Sequence, residues 1–129
     1  MGDRCYLTVE IRREDRDKFV ELMDDDPSQE EEAAGPADML RLEWEEVNYG
    51  AGSVLEQAAH DGLRFVAYNS VGCNYSEGIT VGHGGEHAEC AALEAVPVCE
   101  VGVDGEPDAH SLANVRYVIA LMKKVHDNT

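Results

Sequence analysis

Four residues of this chain have the chemistry of a metal or thiol site: Cys73, His83, His87 and Cys90. Thiolate and imidazole are the ligand types of zinc, but the spacing here matches none of the standard close pairs of ligands. The intervening segment also reads as a two-residue hairpin, Ile79 to His83, then Gly84-Gly85, then Glu86 onward. That register sets His83 opposite Glu86, Gly82 opposite His87, Val81 opposite Ala88 and Ile79 opposite Cys90. Side chains alternate along a strand, so His83 and Cys90 share one face and His87 points to the other. Ligands on opposite faces of a sheet do not converge, and no metal or cofactor is expected. A Cys–His nucleophile pair, built from Cys73 or Cys90 with His60, His83, His87 or His110, is the second option. A reactive thiolate wants an electropositive setting, whereas this region is strongly negative. With twenty-seven acids in the chain, paired carboxylates for acid–base work can be drawn anywhere and single out no site. Gly82-His83-Gly84-Gly85 lacks the phosphate-cradling pattern and its lysine.

The remaining chemistry is charge. The formal net charge is −17 in 129 residues, where solubility alone is served by a magnitude of roughly 2–8. The charge is unevenly spread: residues 1–20 are balanced, 21–46 carry eleven acids against Arg41, and 47–110 carry ten acids against Arg64. Such imbalance costs stability through self-repulsion. Two readings compete, a generic salt-adapted surface and a surface made to meet a basic partner. Direct binding to nucleic acid phosphates or anionic membranes is disfavoured by the same charge. A rigid domain with carboxylates along strand faces could instead occupy the lysine and arginine array of a nucleic-acid-binding protein, with fast, salt-sensitive association. The expected contacts are the run Asp24, Asp25, Asp26, Glu30, Glu31 and Glu32, the strand residues Glu43 and Glu45, and the loop-tip residues Glu77 and Glu86. Tyr49 and Tyr75, in glycine-flanked loops, would be amphipathic anchors.

The elements that must position these groups follow from periodicity. Cys5, Leu7, Val9 and Ile11 alternate with polar residues as a half-buried strand. Glu14 to Met23 is an amphipathic helix with acids in its first turn. Asp24 to Asp38, with Pro27, Gly35, Pro36 and seven acids, reads as a solvated, mobile loop. Leu40, Leu42 and Trp44 mark a second strand with one acidic face, Trp44 being core. Ser53 and Glu56 form a capping box for a helix through Asp61 stopped by Gly62, and Leu63 to Val71 is a third strand. After a polar loop from Gly72 to Gly78 come the hairpin and a strand over Val96 to Val103, with Pro97 near its start. Asp108 caps a last helix in which Leu112, Val115, Ile119 and Met122 hold the helical period. The expected fold is a single α+β domain, residues 1–129, with a mostly antiparallel sheet of five to six strands and three helices in the order β-α-β-α-β-β-β-β-α. No segment approaches a membrane span and the N-terminus lacks an apolar signal core, so a cytoplasmic protein with reduced cysteines is expected.

The opening DRCYLTVEIRREDRDKF, the NYG segment at Asn48–Gly50 and the glycine-bounded CNYSEG loop resemble small proteins encoded by bacteriophages and prophages. Several small acidic phage proteins are anti-CRISPR or other anti-defence factors, some of which imitate nucleic acid. The resemblance implies a non-enzymatic inhibitor that binds the basic nucleic-acid-binding surface of a host complex such as a CRISPR effector. It carries no motif residue onto this chain. The alternative is a small metal- or thiol-dependent enzyme or ligand-binding protein using the Cys73/His83/His87/Cys90 region.

Overall fold

Nine consecutive residues that alternate between apolar and polar can sit at the centre of a sheet only if both edges and one face are covered. That is the position of β1 (Arg4–Arg12) in the computed structural model, which describes residues 4–35, 37–48, 51–70 and 77–127. A short 3-10 turn leads into α1 (Arg16–Met23), followed by β2 (Gln29–Glu32), β3 (Met39–Asn48), α2 (Gly52–His60), β4 (Phe65–Asn69), β5 (Gly78–His83), β6 (Glu86–Leu93), β7 (Val96–Pro97) and α3 (Ala109–His126). The fold is α+β: seven strands in the order β2-β3-β1-β4-β5-β6-β7, every pair antiparallel, with three helices.

The expected five to six strands are thus seven. The additional strand is β2, formed inside the stretch read as a loop over 24–38. Gln-Glu-Glu-Glu has no apolar period and little strand propensity, and all four residues are exposed. Backbone pairing with β3 and ion pairs to neighbouring arginines hold it instead. The expected strand over Val96 to Val103 shrinks to Val96–Pro97. Beyond Pro97, which has no N–H for a ladder, one more bond to β6 follows, Val98 N–H to the Ala91 carbonyl at 3.0 Å; the chain then leaves the sheet, with an isolated bridge between Val101 and Pro107.

Both sheet faces are used. On one, α1 and α2 lie over Leu7, Val9, Ile11, Leu42, Trp44 and Phe65. Phe19 of α1 sets its ring 5.9 Å from Trp44 and 5.6 Å from Phe65, tilted in both cases, an arrangement aromatic quadrupoles favour. Trp44, 2% exposed, is core as expected. Its indole N–H donates to the Asp25 carbonyl at 3.1 Å, so the acidic turn after α1 is tied to the core. Gly82 of β5 lies under α2, where a Cβ would fall 2.6 Å from the Phe65 ring and 3.0 Å from the Ala59 methyl. A residue without a side chain is what lets helix and sheet close there.

On the other face α3 packs across β4, β5 and β6. Its buried stripe is Val115, Val118, Leu121 and Val125; of the expected Leu112, Val115, Ile119 and Met122, Val115 lies in it and Leu112 and Met122 are half-buried beside it. Ile119 is 39% exposed. The helix is apolar over much of its circumference, and the sheet selects which line is buried. Asp108 caps α3 as expected, its carboxylate accepting from the Ser111 N–H at 2.9 Å. The Ser53 capping box does not form. α2 starts at Gly52 after Ala51 in the left-handed region (φ 58°), with no side-chain cap. Its other end closes as expected at Gly62, with Gly62 N–H to the Ala59 carbonyl and Leu63 N–H to the Ala58 carbonyl, the paired bonds of a Schellman motif. Among the described residues no helix is long and apolar enough to cross a membrane.

Candidate binding face

α3 covers only part of its sheet face. Its last turn reaches β1, where Arg12, 4% exposed, donates to the Val125 and Lys124 carbonyls at 2.7 and 3.1 Å. A guanidinium at a helix C-terminus meets carbonyls with no intrahelical partner and the negative end of the dipole. Next to it Glu10 accepts from His126 at 3.0 Å and Arg41 at 3.2 Å, and from the Tyr68 hydroxyl at 3.4 Å. The His126 hydrogen bond, ahead of Arg41, holds the Glu10 carboxyl below its usual range. The same bond raises His126. Burial, followed by the Glu10 charge, pushes Tyr68 up to about 12. Near neutral pH Glu10 is therefore an ionised acceptor and Tyr68 a hydroxyl donor.

Beyond this cluster no described element covers the face. Thr8, Glu10, Arg41, Glu43, Tyr68 and Ala95 line a depression of about 380 Å³. Thr8 and Tyr68 continue into a second, of about 220 Å³, with Tyr6, Asn69, Ser70 and Glu77. β1 and β3 make the floor, and the β6–β7 turn makes a wall. That turn is pinned by Ala95 N–H donating to the Glu77 carboxylate at 2.8 Å. The Tyr6 hydroxyl donates to Glu43 at 2.7 Å. That bond raises the Tyr6 hydroxyl, with the charges of Glu43 and Glu45 adding to it, so both carboxylates sit near one exposed tyrosine. β3 spends three residues where β1 spends two between Leu7↔Trp44 and Cys5↔Val47, a bulge that re-aims the strand there.

The expected contacts divide into three groups. Glu30, Glu31 and Glu32 are on β2 and paired inside the molecule, with Arg16, Arg41 and Arg13 respectively. Asp38 shares Arg13. Asp24, Asp25 and Asp26 are exposed in the turn after α1 and flank a shallow hollow beside Val20. Among the described residues Glu43, Glu45, Glu77 and Glu86 make no ion pair with lysine or arginine, though Glu86 is hydrogen-bonded by Tyr117 of α3. Tyr49, Tyr75 and Cys73 lie outside the described residues. On the open face, Tyr6 and Tyr68 are the described tyrosines beside carboxylates. Each is a diagonal cross-strand neighbour of its carboxylate, since Thr8 pairs with both Glu43 and Tyr68, a relation visible only when β3, β1 and β4 are laid side by side.

The hairpin has the expected register, His83↔Glu86, Gly82↔His87, Val81↔Ala88 and Ile79↔Cys90. Gly84 and Gly85 adopt the positive φ that a two-residue turn of this hand requires. His87 therefore faces α2, where it lines a hollow with His60 and Glu56. His83 faces the α3 side, its Nε2 buried without a hydrogen-bond partner among the described residues. Burial pushes the Cys90 thiol up, with Glu89 adding to it, the opposite of what an activated thiolate needs. Among the described residues no group of three His, Cys, Asp or Glu side chains could hold a metal ion. No family model, curated protein or solved structure matches the chain.

Proposed function

We propose that this is a non-enzymatic acidic protein that occupies the lysine- and arginine-lined nucleic-acid-binding surface of a partner protein and blocks it. The class of partner is a host defence complex such as a CRISPR effector. The observation that carries the reading is the sheet face, left open by the described residues, on which Glu43 and Glu45 stand beside Tyr6, held by strand backbone and unpaired with any base among them. Carboxylates on a sheet hold a fixed spacing, which a competitor for an ordered array of bases needs. Charge on a flexible run would supply attraction without shape. The internal pairing of Glu30, Glu31 and Glu32 moves weight from the longest acidic run to this face. The chemistry of the floor supports binding over proton transfer, since Glu10 is held ionised and Tyr68 protonated.

The test is capture by the immobilised protein from a bacterial lysate at low salt, with competition by duplex DNA or RNA. Retained proteins should be nucleic-acid binders, released by the competing duplex and by about 0.5 M salt, where screening falls to a few ångströms. Glu43→Gln with Glu45→Gln should weaken capture more than neutralising Asp24, Asp25 and Asp26. A retained partner indifferent to both nucleic acid and salt would sink the reading.

A further inference from the structure

Residues 93 to 103 carry five apolar side chains that the described residues leave exposed. Leu93 is 67% exposed, Val96 60%, Val98 38%, Val101 65% and Val103 112%. Leu93 and Val96 face each other across the β6–β7 pair, and Val101 and Val103 follow on the loop leading to α3. The alternation that reads as a strand in the sequence runs past the sheet, because backbone pairing with β6 ends at Val98. Single exposed aliphatic residues need no explanation, but a string of them at one edge of a fold marks an interaction surface.

The loop that carries them is ordered. The Glu100 N–H donates to Ser111 Oγ at 2.8 Å. Asp108 N–H donates to the Glu100 carbonyl and Gly102 N–H to the Glu106 carbonyl, each at 2.8 Å. Glu106 N–H is taken by the Asp104 carboxylate at 3.0 Å. Val103 is thus presented on a closed, hydrogen-bonded turn, which lowers the ordering cost of docking.

The surrounding charge identifies the occupant. No lysine or arginine occurs from residue 65 to residue 115, and Glu94, Glu100, Asp104 and Glu106 stand exposed among the apolar residues. A second copy meeting this edge with its own would set these carboxylates against their own kind, and like-charge juxtaposition rejects that contact. A basic segment with apolar side chains between its lysines and arginines satisfies both the valines and the acids.

We infer that the β7 edge and the loop through Glu106 form a docking surface for a basic, apolar-bearing segment of a partner protein. The inference rests on the basic-partner reading above and adds that the partner must bring aliphatic or aromatic side chains to this edge. Contact here would therefore persist at salt concentrations that abolish contact through charge alone.

Two probes of equal length separate the terms: a short peptide alternating lysine and valine, and oligolysine. Each is titrated into the isotopically labelled protein at low salt and at about 0.5 M salt, with affinity read by anisotropy and contact by amide chemical shifts. At high salt the lysine–valine peptide should bind about ten-fold more tightly than oligolysine, with shifts concentrated in residues 93–106. Val101→Ser with Val103→Ser should erase that difference and leave oligolysine binding at low salt unchanged. Both side chains are exposed, so the variant keeps its fold, checked by its unfolding midpoint. Equal affinities for the two peptides overturn the inference, as do shifts confined to the Glu43 face. Self-association of the wild type that Val101→Ser with Val103→Ser abolishes would also overturn it, assigning the edge to a second copy. Failure of oligolysine to bind even at low salt would instead count against the basic-partner reading, leaving the apolar edge to be judged by the lysine–valine peptide.

Discussion

Replacing Glu10 by glutamine removes the charge to which α3 is tethered. The carboxylate side chain is 13% exposed and accepts from His126, itself 27% exposed, and from Arg41, 41% exposed. A hydrogen bond to a charged group contributes about 1.5–3 kcal/mol. The Arg41 share must be discounted toward about 0.5 kcal/mol for its exposure. Glutamine still accepts one bond, so Glu10→Gln should cost about 2 kcal/mol at a pH where His126 is charged. The pH dependence has a definite sign. His126 is raised above its ordinary 6.5 by Glu10, so its contribution is complete below 6.5 and is lost as pH rises through the raised value. Glu10 is lowered from 4.5, so its contribution is complete above 4.5 and is lost as pH falls through the lowered value. The tether is therefore at full strength between about pH 4.5 and 6.5. Arg41, Tyr68, Arg12 and Asp127 are the other titratable or charged groups around it. The assay is urea unfolding followed by the fluorescence of Trp44, the only tryptophan and 2% exposed, at pH 6 and pH 8. The wild type should lose stability over that interval relative to His126→Gln, and Glu10→Gln should lose the difference. An unchanged pH slope in Glu10→Gln would refute the tether.

Three further perturbations test the fold that presents the face. Gly82→Ala should cost about 1–3 kcal/mol, because its Cβ would stand 2.6 Å from Phe65; a neutral result in chemical denaturation would contradict the close helix–sheet contact. Arg12→Leu should cost about 2–3 kcal/mol by stripping the last carbonyls of α3 of their buried donor, and hydrogen exchange should rise first in the last turn of that helix. Asp108→Ala removes the cap on Ser111 and should cost about 1 kcal/mol, read as a lowered midpoint without a change in denaturant slope.

Several parts of this molecule are legible without coordinates because their causes are local. The β5–β6 register follows from Gly84-Gly85 and the two-residue period of a strand. It is also why His83 and His87 take opposite faces. Trp44 in the core, the stop at Gly62 and the cap at Asp108 follow from side-chain chemistry a few residues away. What could not be read is what depends on distant neighbours. β2 is polar in all four positions, and it becomes a strand because β3 offers an edge and Arg13, Arg16 and Arg41 stand within reach. The valines from 96 to 103 carry a strand pattern, but the described residues leave them exposed. Tyr6 and Tyr68 as partners of the carboxylates required three strands distant in sequence to be set in register.

The sequence by itself determined the net charge of −17, its concentration between residues 21 and 110, and the alternating and helical stretches from which an α+β chain is built. Only the tertiary structure decided which carboxylates are spent inside the molecule and which face outward. Glu30, Glu31 and Glu32 belong to the longest acidic run yet meet arginines, while among the described residues Glu43 and Glu45 make no ion pair with one. The reason is that periodicity and turn chemistry act over a few bonds, whereas the energy of a charge depends on what lies within several ångströms through space, and that distance is set by the fold.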